Sequence, residues 1–412
     1  MPSGVASSRI LAGTNVVVAN AVSIAQIADI DRANRSGMVT YTALSDTIKN
    51  LMPSGVASSR ILAGTNVAVA NAASVAQITA IDRANSSGMV TYTTLSDTVE
   101  NLTPFGIASS RILAGTNVVV ANAASVAQIA AIDRANRSGM VTYATLSDTV
   151  ENLTPFGVAS SRILAGTNVV VTNAASVAQI TAIDRANSSG MVTYSLIDSA
   201  ENLASSLYVK SGINVTISGS ATTTQISAID SKNITGVISW QVNETTNLSR
   251  IFNVTNLMLT GNSNINGTGN LKANIITGNS GTNTLFGGGG NDILVGGVGR
   301  DTLIGGTGND VFRYVSSSEG GDTITDFVRG TDKIQLVSSN FGNITSSQII
   351  AGSAFVSNST GSAVGSLNQL IFNTSNGNLY YDADGVGAGS SVLLASLNVR
   401  TLSASDILVA SS

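Results

Sequence analysis

The chain contains no cysteine and no histidine. The first absence removes disulfides, thiol nucleophiles and thiolate metal sites. The second removes histidine triads and histidine general acids, together with the usual ligand of zinc or iron. Charge is also scarce, at 11% of residues with 20 basic against 24 acidic, which leaves no basic field for a nucleic acid. No stretch approaches ~20 uninterrupted apolar residues, so no membrane span is expected. The amino terminus lacks the basic segment and apolar run of a signal peptide. The serines have no His or Lys base at a recognisable spacing, and nothing marks the acidic pairs as those of a hydrolase. No catalytic residue is assigned, and the chain reads as non-enzymatic. What it does have is apolar content, 43% of 412 residues, enough for two or three domains with buried cores and too much for wholesale disorder.

The first half is a long internal repeat. Arg9, Arg60, Arg111 and Arg162 recur at 51 residues, and all four prolines, Pro2, Pro53, Pro104 and Pro155, share one repeat position. The opening MPSGVASSRILAGTN recurs from Met52 to Asn66, so the chain starts inside a repeat unit. In the unit beginning at Asn117, VVVAN is a β-branched strand. Ser125 and Gln128 form a capping box that opens a helix to about Asn136, with Val126, Ile129 and Ile132 on one stripe. MVTYATL (Met140 to Leu146) is a second strand. Asp148 with Glu151 reads as another capping box, opening a short helix that ends before Pro155-Phe156-Gly157. Two strand–helix half-units of about 25 residues fit a leucine-rich-repeat-like coil. Short right-handed crossovers favour parallel strands. The expected fold is therefore an α/β solenoid, one parallel sheet with one helix layer; separate βαβα modules on a string are the alternative.

Four such repeats fill 1–204, and a drifted fifth, with the only tryptophan, Trp240, on its second strand, fills 205–256. Two ladders run through the array. Asp31, Asp82, Asp133 and Asp184 stand beside Arg32, Arg83, Arg134 and Arg185. They read as helix-terminal pairs solvating one face, or else as a ligand ladder. Tyr41, Tyr92, Tyr143 and Tyr194 read as cross-coil packing, or else as a platform for a sugar or peptide.

The third region, 257–335, holds three consecutive nonapeptides: GGGGNDILV from Gly287, GGVGRDTLI from Gly296 and GGTGNDVFR from Gly305. Their acidic column is Asp292, Asp301 and Asp310, and their apolar column is Leu294, Leu303 and Phe312. A weaker copy, GNSGTNTLF, precedes them with Asn283 in the acidic slot. Self-similarity at this period marks an all-β parallel β-roll that binds calcium. Glycine turns carry no side chains and can point carbonyls inward. A hard cation wants six to eight oxygens from carboxylates and carbonyls. Asp322 and Asp326 in GGDTITDF can complete the last site or serve as turn residues. Asp382, Asp384 and Gly385 read as a hairpin turn, since the closing Glu of an EF-hand is absent.

From about Gly261 to Ser412 the chain resembles the RTX, or haemolysin-type, calcium-binding region of proteins secreted by bacterial type I systems. The nonapeptides, DTITDF and YYDADG carry that resemblance. It implies calcium held by Asp292, Asp301 and Asp310 and by turn carbonyls, taken here as those of Gly287, Gly289, Asn291, Gly296, Val298, Arg300, Gly305, Thr307 and Asn309. Three full repeats suggest roughly two to four ions. It also implies export unfolded through the type I secretion machinery, folding outside on calcium, and an uncleaved secretion signal in a β-rich cap, 336–412. The 51-residue units are similar to repeats of large bacterial RTX surface proteins and adhesins. The expected function is a secreted or cell-surface, structural or adhesive repeat protein whose partners include cell-surface or matrix components. The alternative is a fragment of a larger RTX toxin or secreted enzyme.

Overall fold

The structure, a computed structural model, describes residues 10–411; Pro2 and Arg9, first members of two repeat columns, lie outside them. It contains two compact units. One holds residues up to 173 with 178–194, and the other holds 174–177 with everything from 195 on.

The first unit is built from parallel strands and helices. Its second repeat shows the plan. Strand Asn66–Val69 is followed by helix Val75–Asn85, strands Val90–Tyr92 and Thr94–Asp97, and the short helix Val99–Leu102. Asn66–Val69 pairs in parallel with Ala43–Asp46 on one side and Val90–Tyr92 on the other, so Val67 stands between Leu44 and Val90. The long helix starts where its capping box forms. Ser74 Oγ accepts the Gln77 amide at 3.1 Å and Gln77 Oε1 accepts the Ser74 amide at 2.8 Å. The expected box at Ser125 and Gln128 forms in the same way. Ile78 and Ile81 are wholly buried on the inner stripe of the helix. Gly88 closes the unit after the helix, because a Cβ there would fall 2.6 Å from the Thr65 carbonyl carbon.

The second capping box does not form. The short helix Val150–Leu153 has Thr149 at its cap and no side-chain cap hydrogen bond. Asp148 instead does two things. Its Oδ1 accepts the Thr149 amide and Asn152 Nδ2, both at 2.8 Å, and its Oδ2 accepts the Val126 amide at 2.9 Å. The carboxylate thus sits at the amino end of the long helix 22 residues earlier, where free amides and the helix dipole favour negative charge. Asp46 and Asp97 repeat this on the Ile24 and Val75 amides.

The charge ladder is also rewired. Asp82 pairs with Arg111, 2.9 Å away on the next repeat, and not with its neighbour Arg83. Asp31 pairs likewise with Arg60, and Asp133 with Arg162. These ions are about one-third exposed, so each pair contributes at most about 1 kcal/mol. The tyrosines serve the same junction. The Tyr92 hydroxyl donates to the Arg111 carbonyl at 2.5 Å, and Tyr41 and Tyr143 do so to Arg60 and Arg162.

The second unit keeps one strand–helix–strand turn, Val215–Ser218, Thr223–Lys232 and Ile238–Val242, with Trp240 buried and its Nε1 donating to the Gly219 carbonyl at 2.7 Å. From Val254 to Val337 no α-helix interrupts the chain, and successive strands alternate between two parallel sheets; a short helix returns only at Ser346–Ile350. One sheet runs through Val254–Leu259, Ile275–Thr277, Ile293–Val295, Val311–Tyr314 and Lys333–Val337. The other runs through Gly267–Thr268, Thr284–Gly289, Thr302–Thr307 and Asp322–Ile324. Ile293 pairs with Ile275 and with Val311, so two nonapeptides make one full coil. The core is made of two apolar columns, Ile276, Leu294, Phe312 and Ile334 on one sheet and Leu285, Leu303 and Ile324 on the other, all essentially buried. The carboxy-terminal segment closes both sheets: Val392–Leu397 pairs with Asp322–Ile324, and Ile407–Ala410 with Lys333–Val337. Asn378–Asp382 and Val392–Leu397 are antiparallel, so Asp384 lies in the hairpin expected there.

The Asp97→Ala variant should lower stability by about 1–2 kcal/mol, since it strips a cap from the long helix and the turn before the short one. The urea unfolding midpoint of the first unit reads this directly; an unchanged midpoint would contradict the capping role.

Candidate metal centre

The turns of the roll require glycine. Gly288 and Gly290 have φ of 103° and 99°, and Gly299 and Gly308 have 150° and 144°. In the left-handed region an L side chain is strained. The coils also stack backbone on backbone. A Cβ on Gly297 would lie 2.6 Å from the Asn279 carbonyl oxygen, and one on Gly308 would overlap the Gly290 oxygen. Turn carbonyls therefore sit close against the next coil.

The acidic residues form two columns, one before each sheet. In the first, the Asn274 amide donates to Asp292 Oδ1 at 2.7 Å, the Asp292 amide to Asp310 Oδ1 at 2.9 Å and the Asp310 amide to Asp332 Oδ1 at 3.0 Å. In the second, the Asn283 amide donates to Asp301 Oδ1 at 2.7 Å and the Asp301 amide to Asp322 Oδ1 at 2.9 Å. Each carboxylate hangs by one oxygen from the backbone of the previous coil. The other oxygen is the informative one. Asp292 Oδ2, Asp301 Oδ2 and Asp322 Oδ2 are buried and have no hydrogen-bond partner. Two of them converge: a Cβ on Gly296 would be 2.7 Å from Asp301 Oδ2 and 3.1 Å from Asp322 Oδ2. A Cβ on Gly287 would lie 2.4 Å from Asp292 Oδ2 and 2.5 Å from the Gly305 carbonyl oxygen.

Burial without a donor disfavours the charged form. It pushes the Asp292 carboxyl up to about 7, opposed by the Asn274 amide bond and assisted by the nearby Asp310 charge. Burial likewise raises Asp301 to about 6 and Asp322 to about 7, and shifts Asp310 upward. A cation in place of the missing donors reverses this. The donor set is all oxygen, which suits calcium and excludes softer metals. Among the described residues no place gathers three or more acidic side chains, so a calcium ion held here would need turn carbonyls beside the carboxylates.

The structure brings Asp292, Asp301, Asp310 and Asp322 together in these columns. Gly296, Val298 and Arg300 lie in the turn between strands Ile293–Val295 and Thr302–Thr307, whereas Gly287 and Gly289 lie in the end of strand Thr284–Gly289, and Gly305 and Thr307 in the end of Thr302–Thr307. Asn291 and Asn309 stack side by side, the Asn309 amide donating to Asn291 Oδ1 at 2.9 Å. Asp326 stands apart from the columns: its oxygens accept the Gly305 and Gly306 amides at 2.9 and 2.8 Å and clamp that turn. Sequence reading missed Asp332. It is buried and continues the first column, and its Oδ2 accepts the Val328 amide at 2.8 Å. The signal was Gly330-Thr331-Asp332 before strand Lys333–Val337, obscured because the step from Asp310 is 22 residues and not 18.

The model of the RTX calcium-binding nonapeptide repeat, in four copies, matches residues 268–303 and again 277–312, the same coils. Residues 268–312 are thus RTX-type calcium-binding nonapeptide repeats. Among solved structures it is similar to the solution structure of the AlgE6R3 subunit from the Azotobacter vinelandii mannuronan C5-epimerase. The identity is 27%, over 36% of this chain and 81% of that one, with a TM-score of 0.24, too low to bear on the fold. No curated protein matches. RTX nonapeptides are calcium-binding motifs, and the oxygens left free in the roll agree with that chemistry.

The raised carboxyls set a pH dependence for the calcium-free RTX roll. Their folded pKa values lie above the unfolded value near 4, so the stability they contribute is full below that pH and is lost as pH climbs through about 6 to 7. In calcium-free buffer the β circular dichroism of the roll should fall between pH 5 and pH 8, and Asp301→Asn with Asp322→Asn should flatten the slope. A β signal that rises with pH would contradict the unpartnered state of these groups.

Proposed function

We propose that the chain is a non-enzymatic, exported calcium-binding repeat protein whose roll is a calcium-triggered folding module and whose first unit is a structural or adhesive body. The observation that carries the calcium part is the set of unpartnered buried oxygens on Asp292, Asp301 and Asp322. Where calcium is scarce these charges oppose folding, since each must be buried without a counter-ion or be protonated. Where calcium is plentiful the ion removes that cost, and binding free energy becomes folding free energy. This logic suits passage through a type I secretion channel in an unfolded state, with the carboxy-terminal segment 336–412 as the exported signal and folding completed outside. RTX repeats are typical of secreted proteins, and among the described residues no helix is long and apolar enough to cross a membrane.

A repeated surface feature supports the adhesive role. Phe105 and Phe156, in the Pro-Phe-Gly turns, are wholly exposed, and each has φ of 56°. A bulky residue rarely takes that conformation, and full exposure gives it no packing in return. Equivalent side chains 51 residues apart suit repeated contacts with a cell-surface or matrix component.

Calcium titration of the full chain, followed by circular dichroism, tests the folding module. A gain of β signal with a midpoint near ~0.1–1 mM is expected, the range of extracellular calcium modules. A calcium-independent spectrum would count against it.

A further inference from the structure

The coil that leads into the acidic columns differs from them in a way that bears on where calcium can bind. In the three full nonapeptides position two is glycine, Gly288, Gly297 and Gly306, and position six is aspartate. In the two preceding nonapeptides, which make one coil, both positions are asparagine: Asn270 with Asn274, and Asn279 with Asn283. All four are buried, and none has an unpartnered atom among the buried orphans.

Their side-chain amides take up carbonyls of the coil before. Asn270 Nδ2 donates to the Ile251 and Val254 carbonyls at 2.8 and 2.9 Å, and Asn274 Nδ2 to the Val254 and Thr255 carbonyls at 3.1 and 3.3 Å. Asn279 Nδ2 donates to the Thr260 and Ser263 carbonyls at 3.2 and 3.0 Å, and Asn283 Nδ2 to the Ile265 carbonyl at 2.6 Å. The position-six oxygens are satisfied too: Asn274 Oδ1 accepts the Asn270 amide at 2.8 Å, and Asn283 Oδ1 accepts the Asn279 amide at 2.9 Å. In the aspartate coils the second oxygen of Asp292 and Asp301 has no such donor. An asparagine amide has two N–H donors and no charge, so it can gather carbonyls as a cation does while leaving no charge to neutralise.

We infer that these two asparagine pairs are metal-free closures, in which side-chain amides stand where the aspartate coils use calcium. The inference rests on the calcium reading of the roll. Two consequences follow from the geometry. The calcium stack is bounded on this side, with no ion in the asparagine coil. And residues 269–286 stay folded without calcium and template the rest, because the first acidic residues hang from their amides, Asp292 from Asn274 and Asp301 from Asn283. In a stacked repeat, order propagates from a stable coil to its neighbour.

Two measurements on the full chain test this. Hydrogen exchange should find the amides of Asn270 and Asn279, whose acceptors lie inside the asparagine segment, equally slow with and without calcium, and amides 288–313, together with Asn274, Gly278 and Asn283 whose acceptors are Asp292, Val295 and Asp301, slow only with it. Loss of protection in both sets together when calcium is removed would overturn the inference. Counting bound calcium by equilibrium dialysis should find one more ion on the Asn279→Gly/Asn283→Asp double variant than on the unaltered chain. An unaltered chain that binds no calcium refutes the reading of the roll itself. One that binds calcium, with a double variant that binds no more, refutes this inference alone.

Discussion

A carboxylate oxygen buried with no donor is among the more costly groups a folded chain can hold, and this fold stacks three of them. The rest of the roll follows from that constraint. Each aspartate is pinned by its first oxygen to the coil before, so it cannot swing out to water, and the second oxygen is left among the glycine turns, those of Asp301 and Asp322 close to one another. The apolar columns that hold Leu294, Leu303 and Phe312 supply a core one side chain wide per half-coil. A core so thin gives little reserve against buried charge, which is why a bound cation would favour folding of these coils.

The two units solve the same problem of stacking parallel strands by different chemistry. In the first, an acid before each short helix is matched to helix amides 22 residues earlier, and the Asp–Arg and Tyr–carbonyl contacts tie one repeat to the next. Every such charge has a partner supplied by the chain itself. In the roll the partner is left out. The asparagine coil stands between these strategies, keeping the geometry of the roll while supplying its own donors.

Much of this was legible in the residues. Glycine, aspartate and leucine at a nine-residue period announce the roll, because each position has only one physical use. The Ser125–Gln128 box fixes the start of a helix by local hydrogen bonds alone. What was not legible depended on distance along the chain. Asp148 has a glutamate three residues on and so resembles a local cap, yet its second oxygen serves an amide 22 residues away. Asp82 looks paired with Arg83 but meets Arg111, because neighbours on a helix point apart. Asp332 was hidden by an insertion, and the role of Asn270 and Asn279 by their neutrality, since nothing in a Gly-Asn dipeptide signals which carbonyls its amide will reach.

The central claim is that the free oxygens of the acidic columns are calcium ligands. A crystal structure of the chain grown with calcium tests it most directly. An ion is expected within about 2.3–2.6 Å of Asp301 Oδ2 and Asp322 Oδ2, completed by turn carbonyls. Finding those two oxygens bonded to protein donors or water, with the roll ordered and no ion beside Gly296, would contradict it.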